Sequence, residues 1–130
     1  MKAKDLYIST LFKKTIRFIE NDNRFTNWYI LSAKYGLIDK NEIIQAYDMT
    51  LLNFSNKELE IWSNSILIEI MKRKLDDLHF FCGEKYHNQY LLQLLELNGI
   101  KYTLPMKGLS LGKRLQYLSP SIKGGFGFRR

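Results

Sequence analysis

The sequence predicts an α/β fold, a three-layer sandwich in which a small, mainly parallel, Rossmann-like sheet is covered by helices. Three observations carry this. Apolar residues recur at helical spacing in several segments, short β-branched and aromatic runs lie between them, and each pair of runs is separated by enough chain for a helical crossover. The 130 residues are 45% hydrophobic and 14% aromatic with only 2 prolines, which suits one globular domain. That domain is expected over residues 1–118, followed by a basic C-terminal tail over residues 119–130.

Leu11, Phe12, Ile16 and Ile19 define a first amphipathic helix from Ser9 or Thr10 to about Asn21, where Asn-Asp-Asn supplies turn chemistry. Trp28 to Ala33 is a buried strand closed by Lys34-Tyr35-Gly36. The mixed, polar stretch to Leu52 reads as a long loop with a helical turn. Ser55-Asn-Lys-Glu58 has capping-box spacing, so it opens a long helix whose buried stripe is Leu59, Trp62, Ile66 and Ile70 and whose end lies near Leu75. Leu78 to Cys82 is a second strand; Gly83 stops it before a helical pattern from about Glu84 to Leu97. Asn98-Gly99 ends that helix, Ile100 to Leu104 is a third strand ended by Pro105, and Leu111 to about Leu118 is a last short helix.

Twenty Lys and Arg against 13 Asp and Glu give a net charge of +7. Lys2, Lys4, Lys13, Lys14 and Arg17 crowd the start. Lys107, Lys113, Arg114, Lys123, Arg129 and Arg130 crowd an end with no acid after Glu96. Such a field attracts polyanions, although a solvated lysine surface produces the same count. The single Cys excludes an intramolecular disulfide and, with 2 His, a self-contained zinc module. Apolar stretches such as Ile66-Leu67-Ile68 fall far short of the ~20 residues that span a bilayer, and Lys2 and Lys4 precede no secretory apolar region. A cytoplasmic protein without a membrane partner is therefore expected.

Ligands of parallel sheets sit beyond the carboxyl ends of the strands, which directs attention to three segments. Ser32-Ala33-Lys34-Tyr35-Gly36 places a hydroxyl, an ammonium and a phenol at one strand end, and Tyr47-Asp48 adds a phenol and a carboxylate from the following loop. Asp48 is the leading general base, Lys34 fixes an anionic group or polarises a leaving atom, and a turn-capping role for Asp48 is the plainer alternative. Gly83 to His87 offers helix amides to an anion, or simply a tight turn. Lys107-Gly108-Leu109-Ser110-Leu111-Gly112-Lys113 reads equally as an anion loop and as an ordinary strand-to-helix connection. His79 is expected to be structural, His87 better placed for chemistry, and Cys82 a buried small hydrophobe.

The elements Leu6-Tyr7-Ile8-Ser9-Thr10-Leu11-Phe12-Lys13, Tyr29 to Leu37, Tyr47 to Leu51, Gly83 to Tyr86, and Pro105 to Leu109 with Gly112 to Leu118 together resemble DUF6884, an uncharacterised bacterial and phage family. The resemblance implies an α/β fold with a polar pocket of Tyr7, Ser9, Ser32, Lys34, Tyr35, Tyr47, Asp48, Gly83 and Tyr86. Family members usually begin with a strand ending in a Ser-Cys step just before the Tyr-x-Ser element; here Met1 falls almost at that point, so the strand and its Cys are expected to be missing. The gap would be filled by Ile122 to Phe128, by a rearranged sheet, or by a strand from a second copy, which makes a homodimer conceivable. Lys4, Tyr7 and Ser9 also resemble a short Lys-x-x-Tyr-x-Ser arrangement of enzymes that modify deazaguanine bases in transfer RNA.

Two functional expectations follow. One is a nucleotide- or nucleobase-directed protein, an enzyme of base or nucleotide modification, with Asp48, Lys34 and Ser9 as catalytic groups and Tyr7, Ser32, Tyr35, Tyr47, Gly83, Tyr86, Lys107 and Gly108 binding the ligand. The other is a non-catalytic basic module that binds nucleic acid or a protein. Neither calls for a cofactor or a metal.

Overall fold

The computed structural model describes residues 1–6, 10–45 and 49–118, with Leu6 described by its backbone alone. Its elements in order are α1 (Ala3–Leu6), α2 (Thr10–Glu20), β1 (Tyr29–Ser32), β2 (Gly36–Asp39), α3 (Asn56–Lys72), β3 (Asp77–His79), α4 (Gln89–Leu97), β4 (Lys101–Thr103) and α5 (Leu111–Leu118). A 3₁₀ turn at Leu51–Asn53 precedes α3.

The expected α/β mixture is present, but the single parallel sheet is not among the described residues. Two two-stranded sheets replace it: an antiparallel β1–β2 hairpin and a parallel β3–β4 pair. The parallel pair conforms to expectation, with Leu78 opposite Tyr102 and α4 as the crossover between its strands. β1 departs from it because a nearer partner exists. Ser32 pairs with Gly36 across a short turn, which closes far less chain than a crossover to β3. The Ser32 hydroxyl accepts from the Lys34 and Tyr35 amides at 3.2 and 2.9 Å, and Gly36 adopts φ +75, the left-handed residue such a turn needs. Leu37 and Ile38, read from sequence as loop, are therefore strand and buried.

The hairpin is apolar on both faces. Leu37 joins Leu59, Trp62, Ile66, Ile70, Leu91 and Leu95 in one core cluster, whereas Ile30 and Ile38 join Trp28, Ile44 and Ile19 of α2 in a second. α3 forms as its sequence predicts, with reciprocal Ser55 and Glu58 capping bonds at 3.1 and 2.8 Å. α4 begins at Gln89, later than expected, because Asn88 takes the N-cap position and accepts from the Leu91 amide at 3.1 Å. Residues 84–87 are accordingly a turn.

A largely apolar cleft of about 680 Å³ separates the two ladders. It is lined by Tyr29–Leu31 on one side, Asp77–Phe80 on the other, and Phe12 and Ile16 of α2. β1 and β3 are each paired with one strand only, so among the described residues each keeps an open edge. The segment Ile122 to Phe128, expected as a filling strand, lies outside the described residues, as does the whole 119–130 tail.

Candidate functional site

The carboxyl ends of a parallel pair point the same way, so the segments leaving β3 and β4 come together. The Phe80 amide continues the ladder onto the Thr103 carbonyl at 3.0 Å, after which one chain enters the Gly83–Asn88 turn and the other the Leu104–Ser110 turn. The first is closed by Tyr86 N–H to the Gly83 carbonyl at 3.0 Å, the second by Lys107 N–H to Leu104 and Leu109 N–H to Met106, both at 3.2 Å. Gly108 sits at φ +80 and serves this reversal. Gly83 has no such constraint: its φ is ordinary and a Cβ there would meet nothing within 4 Å. Neither backbone strain nor crowding therefore requires glycine at position 83.

A groove of about 1000 Å³ opens beside the first turn, bounded by Thr50 and Asn56, by Gly83–Tyr86, and by Gln89, Tyr90 and Gln93. Its floor is fixed by Asn88. This buried amide accepts from the Leu91 N–H and the Ser63 hydroxyl, both at 3.1 Å, and donates to the Lys85 carbonyl at 2.9 Å. Tyr86 packs edge-on against Trp62, with ring centroids 5.9 Å apart. The Trp62 indole in turn donates to the Ser32 carbonyl at 3.0 Å. Thus the turn after β1 and the turn after β3 meet through one buried tryptophan.

At the β1 end, Ser32 is buried and uses its hydroxyl to hold the turn, so it is a structural group at the floor. Lys34 is exposed, with its ammonium 5.2 Å from the Tyr35 ring centroid. The Tyr35 hydroxyl donates to the Gln45 carbonyl at 3.4 Å.

Electrostatics separate the titratable groups near the turns. Burial pushes the Cys82 thiol up to about 12 against the field of Arg114, so it stays protonated and is no nucleophile at neutral pH. Burial also lowers His87, with Arg114 and Lys107 adding to the effect and Glu84 opposing it. His79 is not at the site; it stacks edge-on against Phe25 at 5.0 Å and lies 3.6 Å from Asp77. Among the described residues no group of three or more His, Cys, Asp or Glu could hold a metal ion.

The expected site is thus brought together in part. Gly83 and Tyr86 line the groove, Ser32 is tied to it through Trp62, and Lys107 and Gly108 lie on the neighbouring turn after β4, outside the groove's lining. Lys34 and Tyr35 are not among the groove's lining residues. Tyr7, Ser9, Tyr47 and Asp48 lie outside the described residues. Trp62 was expected only as a core residue of α3, and Gln89, Tyr90 and Gln93 were not singled out; the spacing of Gln89 with Gln93, one helical turn, was the available signal. No helix among the described residues is long and apolar enough to cross a membrane.

No curated protein and no solved structure matches the chain significantly. The model of DUF6884, a family of unknown function, matches residues 1–120. With nearly the whole length covered by that model, the chain belongs to the DUF6884 family.

Proposed function

We propose that the chain is a nucleotide- or nucleobase-directed protein whose ligand lies in the groove beside the Gly83–Asn88 turn. The observation that carries this reading is the composition of the wall formed by the Gly83–Asn88 turn and the first turns of α4. Tyr86 and Tyr90 offer flat aromatic surface, while Gln89 and Gln93, one turn apart, offer carboxamides that both donate and accept. Paired carboxamides and stacking rings are the groups that recognise the edge and the face of a base. Lys85 on the same rim and Lys107 on the neighbouring turn suit a phosphate attached to it.

The reading is of binding first. Base or nucleotide modification would call on Asp48 as acid or base, with Ser9 and Lys34 as the other catalytic groups.

Saturation-transfer NMR with the four common ribonucleoside monophosphates and their free bases tests the proposal. At least one ligand is expected to bind, and a Gln89→Ala, Gln93→Ala double variant is expected to weaken it tenfold or more. Absence of binding by every ligand at millimolar concentration, or binding indifferent to the double variant, would refute the groove as the site.

A further inference from the structure

We infer that the paired helices α2 and α5 form a separate surface for the phosphate backbone of single-stranded nucleic acid. The helices are held together by Phe18, whose ring lies 5.5 Å from Tyr117 of α5 and 5.7 Å from Phe81. Their sequences carry Lys13, Lys14 and Arg17 on α2 and Lys113 and Arg114 on α5, and α5 has no acidic residue. Glu20 is the one acid on α2, and Asp22 follows the helix. Glu20 accepts from the Trp28 indole at 3.1 Å, and Asp22 holds Arg24 at 2.7 Å.

Lys13, Arg17 and Lys113 are exposed and make no ion pair among the described residues. Lys13 and Arg17 stand one helical turn apart, so like charges crowd a single face at a cost to the isolated helix that a polyanion removes. On α5, Tyr117 lies one helical turn from Lys113 and is 43% exposed, while its ring is braced by Phe18 of α2. A cationic track with a fixed, half-open aromatic ring is the combination that binds unpaired bases on a strand, since phosphates meet the cations and a base stacks on the ring. An acidic peptide would satisfy the charges and leave the tyrosine unused.

The surface is tested by fluorescence anisotropy of a labelled mixed-pyrimidine single strand of about fifteen nucleotides, titrated between 50 and 300 mM salt. Three to five phosphate contacts predict a slope of log K against log salt of roughly −2 to −3.5, at about −0.7 per contact. The triple variant Lys13→Ala, Arg17→Ala, Lys113→Ala should flatten that slope by about 2 and weaken binding at low salt. A control triple, Lys57→Ala, Lys72→Ala, Lys101→Ala, removes the same charge from other surfaces and should leave the slope as it was. Circular dichroism establishes that both triples are folded. No binding at 50 mM salt, an equal loss in the control, or tighter binding of a duplex of the same length would each overturn the inference. The measurement uses no mononucleotide, so it and the groove reading succeed or fail separately.

Discussion

Replacing Asn88 by alanine should be among the most damaging polar substitutions in the chain. Its carboxamide caps α4 through the Leu91 amide, receives the Ser63 hydroxyl, and donates to the Lys85 carbonyl, at 3.1, 3.1 and 2.9 Å. Loss of an N-cap costs about 1 kcal/mol. Leaving the part-buried Lys85 carbonyl without its donor adds roughly 1–2 kcal/mol. The expected total is about 2–3 kcal/mol, or a melting temperature lower by roughly 10 °C for a chain of this size. Urea unfolding followed by circular dichroism measures it, with the m-value unchanged if the native state alone is affected. Ser63→Ala provides the internal comparison: it removes one of these bonds together with its donor, and the Asn88 oxygen keeps the Leu91 amide, so the loss should stay below about 1 kcal/mol. A loss under about 0.5 kcal/mol for Asn88→Ala, or equal losses for both variants, would refute the idea that this side chain ties the Gly83–Asn88 turn to α4.

Trp62→Phe should cost about 1–3 kcal/mol, read by the same unfolding assay, because the buried Ser32 carbonyl loses its 3.0 Å donor; a neutral result would mean that water replaces the indole. Cys82 should react with a thiol reagent at pH 8 far more slowly than a free cysteine peptide, since burial holds its thiol near 12, and a peptide-like rate would contradict that enclosure. His87 should titrate below 6.5 by NMR. Because its folded pKa is depressed, the unfolded chain takes up its proton first, so this group's contribution is present above about pH 6.5 and declines as pH falls toward the folded value. Stability that rises on acidification through that window would count against burial of His87.

Elements set by local chemistry were legible in the sequence, and those set by competition between partners were not. The Ser55–Glu58 capping box and the Leu59, Trp62, Ile66, Ile70 stripe forecast α3, and the limits of α5 match their expected positions. The strand residues of β1 were also recognisable, yet its partner was misassigned, because alternation says which residues are extended and nothing about which neighbour bonds to them. Gly36 at positive φ was the missed clue, a glycine that looked like the end of a strand and is the hinge of a hairpin. Asn88 was overlooked as a cap because Gly83 drew the helix start five residues too early. In the groove, Gly83 and Tyr86 are residues to which the rule that loops follow parallel strands had drawn attention, whereas Gln89 and Gln93 were not singled out in the sequence. Ser32, read from sequence as a ligand group, is buried and also accepts from two turn amides.

The division of the strands into two ladders bears on how the chain acquires its structure. The β1–β2 ladder closes across a turn between Ser32 and Gly36, a local event of the microsecond class, whereas Asp77 meets Lys101 only once the intervening α4 segment has compacted. Neither ladder is large enough to persist alone in water. Both lean on one element: Leu37 of the hairpin shares a core cluster with Ile66 and Ile70 of α3, and Leu78 and Tyr102 pack against that same cluster. α3 is therefore the common support whose docking converts two transient pairings into a cooperative unit. Amide protons of the two sheets, although no hydrogen bond joins their strands, should exchange with the solvent through the same opening that frees α3.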